Sequence, residues 1–253
     1  MMVLKLLDRV MKIRAVSRVQ LAKYEILEKI KTNKIKGNKL PTEDELTKQL
    51  QVSLATLREA LLELNKEGII SKRHGLGNFI HKSTLETKMR IDRFTDFTDL
   101  LQDGGYVPSS TYFGAHLAVP DSEIAKDLNI PKDSKIVMCE RIFLADGKAA
   151  IYAQNRIPYS WFVKEPAAEG QSNLTSYIEE YCGQKMTHGI QEITPILAEK
   201  KDQQLFGVKI GSPMISWKEI FYTLEDIPIC LSNVRFNQEI VKMKMLWKHG
   251  QKC

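Results

Sequence analysis

The sequence predicts an α+β chain of two domains: a small helical domain ending in a short hairpin, then a larger antiparallel sheet with helices. Three observations carry this. Apolar residues recur at helical spacing from about residue 17 to residue 67, then give way to two short strand-like runs around paired glycines. Charge is uneven: residues 1–83 carry a net +8 and the remaining 170 carry −2, within a chain total of +6. Beyond residue 130, two strand–turn–strand patterns follow one another. A length of 253 residues suits two ordinary domains, and 43% apolar with 27% charged residues is a globular composition.

In the first domain, Val19, Ala22, Ile26 and Ile30 predict an amphipathic helix over 17–33, ended by Gly37-Asn38. Thr42 followed by Glu45 is a capping box for a second helix, whose acidic first turn suits the helix dipole and whose Leu46 and Leu50 face inward. Ser53 caps a third helix, with Leu57, Leu61 and Leu64 on one face and Glu67-Gly68 at its end. Two short helices joined by a tight turn form a helix-turn-helix. Ser53, Thr56 and Arg58 open the outward side of the second one, as hydroxyls and a guanidinium suited to phosphates and guanine edges. Strands at Ile69–Ser71 and Asn78–Ile80 then enclose Lys72-Arg73-His74-Gly75-Leu76-Gly77, a cationic hairpin tip able to lie along a groove. A basic first third beside a near-neutral remainder points to a polyanion partner for that third alone.

Leu40-Pro41-Thr42-Glu43, Leu57-Arg58-Glu59-Ala60-Leu61, Glu67-Gly68 and His74-Gly75-x-Gly77-Asn78-Phe79, in that order, resemble the winged helix-turn-helix of the GntR family over about residues 17–81. The resemblance implies double-stranded operator DNA as partner. It places Ser53, Thr56 and Arg58 on recognition-helix contacts, and His74 and Gly75 on wing contacts, beside the cations Lys72 and Arg73. Two positions depart from the family: Asp44 stands where Arg is common, and Leu54 where a cation is common. An operator different from those of better-known members follows. Leu54 is suited to a thymine methyl.

Residues 84–93 are polar without a clear period and read as a linker, which leaves 1–16 as an N-terminal extension, 17–83 as the first domain and 94–248 as the second. The second domain opens with a helix capped at Thr95 and stopped at Gly104-Gly105. A strand region around Tyr112, Phe113 and Val119 follows, then a short helix from Pro120-Asp121-Ser122 to Asn129. Strands at Lys135–Leu144 and Lys148–Ile157 meet at Asp146-Gly147, a hairpin signal. Ser134, Ile142, Phe143, Ile151 and Asn155 recur as Ser212, Ile220, Phe221, Ile229 and Asn233, each 78 residues on. This points to an internal duplication that builds one antiparallel sheet with helices on one side.

The order of these elements, with Phe94-Thr95, Pro108-Ser109-Ser110, Glu140-Arg141, Asp146-Gly147 and Pro158, resembles the UTRA sensor of HutC-type GntR regulators over about residues 92–246. The resemblance implies a chorismate-lyase-like fold, a small-molecule effector and a repressor that the effector releases. It places Arg141 on the first of two pocket arginines, with Phe143 at the second. Ala153 and Cys230 occupy positions where a carboxylate is common on the strands.

Residue chemistry adds candidates for the effector site. A helix N-terminus at Thr95 offers N–H groups to an anion, although Asp96 would oppose one. Arg141 lies in an apolar strand, where a guanidinium either pairs internally or awaits a ligand acid. Its repeat partner, Glu219, either pairs with it or flanks the same ligand. Asn155, Ser232, Asn233 and Arg235 supply polar groups on the second strand of each hairpin, any of which could instead face solvent. The effector expected is an anion-bearing metabolite with a substantial apolar part. A homodimer on a palindromic site is expected, because one small reading head covers too few bases.

Cys139, Cys182, Cys230 and Cys253 show no metal-ligand spacing and read as reduced core thiols, so neither a metal nor a cofactor is expected. Charges at Lys5, Asp8, Arg9 and Lys12 break the N-terminal apolar stretch, and no run approaches membrane-span length, which predicts a cytoplasmic protein without membrane contact. Two other functions stay open at this level. One is an enzyme of the lyase-like fold, against which no nucleophile–base pair or metal motif is present. The other is an architectural DNA-binding protein with no effector.

Overall fold

The computed structural model describes residues 17–35, 37–92, 96–167 and 173–247. The chain forms two compact units, one of Met1–Arg93 with Met245–Cys253 and one of Phe94–Lys244.

The first unit begins with α1 (Arg18–Lys31), capped by Ser17. The Thr42/Glu45 capping box starts α2 (Glu43–Leu50), and Ser53 caps α3 (Leu54–Lys66). The antiparallel strands β1 (Ile70–Arg73) and β2 (Gly77–Ile80) make the wing. Gly75 and Gly77 at its tip have φ of +71° and +97°, conformations that an L side chain rarely adopts, so the paired glycines are a requirement of the turn. The core is one cluster of Ile26, Ile30, Leu40, Leu46, Leu57, Leu61, Leu64, Ile69, Ile70 and Ile80, the helical faces legible in the sequence. Lys23 ties α1 to α3 through Glu63 and Glu67.

The stretch read as a polar linker contains more order than its composition suggests. A short helix, α4 (Lys82–Glu86), occupies part of it, and Met89 and Arg90 are buried. Arg90 donates to the Glu67 carbonyl, in the residue that caps the C-terminal end of α3, and pairs with Asp92, whose carboxylate accepts from the Leu246 backbone.

The second unit is a six-stranded antiparallel sheet in the order β3-β4-β5-β8-β7-β6. Its elements run α5 (Phe97–Gly104), β3 (Pro108–Ala118), α6 (Ser122–Asp127), β4 (Ile136–Ala145) and β5 (Lys148–Pro158). Then α7 (Leu174–Cys182), β6 (His188–Leu197), α8 (Lys200–Phe206), β7 (Pro213–Tyr222) and β8 (Pro228–Phe236) repeat the same helix–strand–helix–strand–strand order. The two halves meet at the β5–β8 ladder, so the sheet is symmetric about that seam. Gly105 and Gly183, 78 residues apart, end the first helix of each half.

One expectation is corrected: helices cover both faces of the sheet. Phe97 of α5 packs on Phe143, Trp217 and Phe236, and α7 packs on Cys139, Phe221 and Cys230. On the opposite face, α6 packs near Ile136 and Leu231, and α8 reaches Glu140, Tyr152 and Arg235. The central strands explain this. Ala150 to Ala153 and Ile229 to Ser232 are buried at consecutive residues, and such a run must be covered on both sides. A second correction concerns α5. Its cap is Asp96, which accepts from Thr98 N at 2.8 Å; Thr95 lies outside the described residues.

Candidate nucleic-acid interface and effector site

At the proposed DNA face, the start of α3 and the wing present their side chains outward. Ser53 Oγ accepts from Thr56 N at 3.1 Å and lies 2.9 Å from Thr56 Oγ1, so both hydroxyls serve the helix start. Arg58 and Lys72 are each 61% exposed, and Arg73, His74 and Gly75 are exposed at the wing. Leu54 stands exposed on the first turn of α3, and Asp44 is exposed on α2. The sequence reading missed the link between these elements. Glu43, noted there as part of the family motif and of the acidic first turn, accepts from Arg58 Nε at 2.8 Å and from Lys72 Nζ at 3.1 Å. The hydrogen bond from Arg58, aided by Lys72, holds the Glu43 carboxyl below its ordinary pKa. Nothing in one-dimensional spacing marks that contact, because Glu43 and Lys72 lie in different elements.

In the sheet, strand register decides which candidates share a face, since direct cross-strand partners point the same way. One row runs Tyr112, Arg141, Ala153, Val234, Trp217, Ile193. The next runs Ala115, Cys139, Asn155, Ser232, Glu219, Gln191. Arg141, Asn155, Ser232 and Glu219 therefore share the face covered by α5 and α7. Arg235 does not. It lies three residues beyond Ser232 and so on the opposite face, where it pairs with Asp202 at 2.5 Å and Glu199 at 3.5 Å. Asn233 also lies on that face and accepts from Arg156 at 2.6 Å.

Arg141 is lodged among aromatic rings, its guanidinium carbon 5.6 Å from the Tyr112 centroid and 5.9 Å from that of Phe143. Phe143, Ala153 and Cys230 are all buried, and Phe97, Phe143, Phe236 and Trp217 form one aromatic cluster. Three buried polar atoms here lack a hydrogen-bond partner: Tyr112 Oη, Tyr177 Oη and Trp217 Nε1. The two hydroxyls crowd the Cys139 thiol and interact with it electrostatically, yet no hydrogen bond of proper geometry joins them. Burial pushes both tyrosines and the Cys139 thiol up in pKa.

Glu219 is the carboxylic acid of this face. Burial raises its carboxyl to about 7, against a smaller lowering by Gln191. Its Oε1 occupies the space that a Cβ at Gly189 would approach to 3.0 Å. Three strand spacings, about 14 Å, separate β4 from β7, beyond ordinary ion-pair reach, so the pairing of Arg141 with Glu219 that the repeat allowed is disfavoured. At the start of α5, the Asp96 carboxylate occupies the cap and opposes an anion there.

Cys139, Cys182 and Cys230 are buried free thiols, and Cys253 lies outside the described residues. Among the described residues no cluster of His, Cys, Asp or Glu could hold a metal ion, and no helix is long and apolar enough to cross a membrane.

Comparison with known proteins gives the two units their relatives. Residues 103–242 match the UTRA domain, and residues 20–80 match the bacterial regulatory proteins of the gntR family. The HTH-type transcriptional repressor NagR of Bacillus subtilis (strain 168) is 27% identical over 204 residues, spanning 79% of this chain and 83% of that one. The crystal structure of the regulator YydK from Bacillus subtilis shares the fold with a TM-score of 0.75 at 22% identity, over 92% of this chain and 100% of that one. PhnF from Mycobacterium smegmatis does so with a TM-score of 0.55 at 17% identity, over 90% of this chain and all of the other. These families and relatives are regulators, not enzymes. With its winged helix-turn-helix followed by a duplicated, helix-covered sheet, the chain belongs to the UTRA-containing branch of the GntR family and is a DNA-binding transcription regulator.

Proposed function

We propose that the protein is a cytoplasmic homodimeric repressor, released from a palindromic operator by an anionic metabolite with a substantial apolar part. The observation that carries the effector class is the lodging of Arg141 among aromatic rings. It lies on the sheet face that leaves Tyr112 Oη, Tyr177 Oη and Trp217 Nε1 buried without partners. Arg141 offers a planar fork to a carboxylate or phosphate. Phe143, Ala153 and Cys230 give that face its apolar part, and the three unpartnered polar atoms, with Asn155, Ser232 and Glu219 on the same face, offer a few directional hydrogen bonds. The name of the NagR relative supports the repressor sign.

At the other site, Ser53, Thr56 and Arg58 read the operator while Lys72, Arg73, His74 and Gly75 hold the wing against it. This reading is supported by the exposure of all of them except the half-buried Thr56, and by the match of residues 20–80 to the GntR domain. Release by the effector requires that it bind one arrangement of the two reading heads better than the other.

A thermal-shift screen of carboxylate, phosphate and neutral metabolites, followed by calorimetry of the hit on wild type and Arg141→Lys, tests the effector class. Binding of an acid that weakens about tenfold or more in the variant is expected, because an ammonium lacks the two-donor fit. Undiminished binding, or a neutral polyol as the hit, would defeat the proposal.

A further inference from the structure

Glu43 sits at the first helical position of α2, and its carboxylate holds cations from two other elements. Oε2 takes the Arg58 Nε–H at 2.8 Å and Oε1 takes Lys72 at 3.1 Å. The acid is sheltered, 20% exposed, while both cations are 61% exposed. The point of attachment matters. A guanidinium carries five N–H groups in one plane, and guanine presents O6 and N7 as two acceptors on its major-groove edge. A carboxylate on Nε leaves the four N–H groups of Nη1 and Nη2 free of Glu43 and fixes the roll of the plane about the side chain.

We propose that Glu43 is a specificity-determining positioning residue: it sets the Arg58 fork for one guanine in each half-site, and through Lys72 it couples the wing strand to that setting. The proposal rests on reading Arg58 as a base-contacting residue. An ordinary exposed ion pair would contribute little to anything. Glu43 differs in a way that can be measured, because its two effects on DNA have opposite signs. As an anion beside the DNA face it opposes phosphates, so it weakens binding to any duplex. As a buttress it confines Arg58 to the geometry that rewards guanine, so it strengthens binding to the right duplex.

The test uses the full chain, with a duplex selected by the wild-type protein from a random-sequence pool and an unselected random duplex of equal length. Affinities for both are measured for wild type, Glu43→Gln, Arg58→Ala and the double variant. Glu43→Gln is expected to bind random DNA roughly two- to fivefold more tightly. Its selected-to-random ratio is expected to fall about tenfold or more, the loss mapping to the guanine whose replacement Arg58→Ala no longer senses. In the Arg58→Ala background, Glu43→Gln should cost no further selectivity, since the two act as one unit.

A ratio unchanged by Glu43→Gln, or a loss that adds to that of Arg58→Ala, overturns the proposal. If Arg58→Ala itself keeps the wild-type ratio, the reading of Arg58 fails and Glu43's role falls with it. If only Glu43→Gln keeps the ratio, the Arg58 reading stands and the Glu43 role alone is wrong. Should Glu43→Gln fail to fold, Glu43→Ser, a residue tolerated at helix starts, carries the same comparison.

Discussion

At the residue scale, Glu219 makes its environment measurable. Its carboxyl is raised from 4.5 to about 7, chiefly because burial penalises the charged form. The folded state therefore prefers the protonated acid. Glu219 costs no stability below the unfolded value of 4.5, and a cost accumulates as pH rises from 4.5 to about 7, levelling off once the buried group has ionised. Glu219→Gln removes that cost. Thermal melts of the two proteins should coincide near pH 4.5 and diverge upward, the variant being more stable by about 1–3 kcal/mol at pH 8. Parallel pH profiles would show that the carboxylate is well solvated. Ser53 gives a second check at this scale. Its Oγ accepts from Thr56 N, so Ser53→Ala should destabilise the first unit by about 1 kcal/mol, read as an earlier melt without DNA. An unshifted melt would mean that the helix start draws nothing from the cap.

Elements were legible where a signal is local. Thr42 and Ser53 each stand next to the helix they cap, and in each the side chain accepts the expected backbone N–H; Ser17 and Asp121 do the same for their helices. Asp146-Gly147 closes the β4–β5 hairpin with φ of +49° and +78°. The start of α5 was misjudged by one residue because Thr95 and Asp96 are both competent caps, and only the backbone path decides which side chain meets Thr98 N. The wing carries the prediction at this scale. Lys72 and Arg73 lie on β1, and cations that meet DNA phosphates release counterions. Replacing both by alanine should lower the slope of log affinity against log salt by about 2. An unchanged slope would remove the wing from the interface.

For the whole molecule, the proposed dimer predicts two-fold operator symmetry, because one small reading head covers too few bases. Sedimentation of the protein with a selected duplex should give two chains per duplex, with half-sites related by a palindrome. A single chain per tight site would refute the dimer. The pattern of residues alone determined the helices of the first unit, the wing and the β4–β5 hairpin, because each follows from periodicity, caps and turn residues close in sequence; the 78-residue spacing of like residues marked the repeat, but not the helix–strand–helix order that opens its second copy. Only the tertiary structure decided which face a residue occupies. Ser232 and Arg235 looked like neighbours of one pocket, yet register places them on opposite sides of the sheet, with Arg235 bound to Asp202. The same holds for Glu43, whose two partners come from α3 and β1. Such contacts join residues far apart in the chain. They are set by strand register and helix packing, which no local pattern encodes.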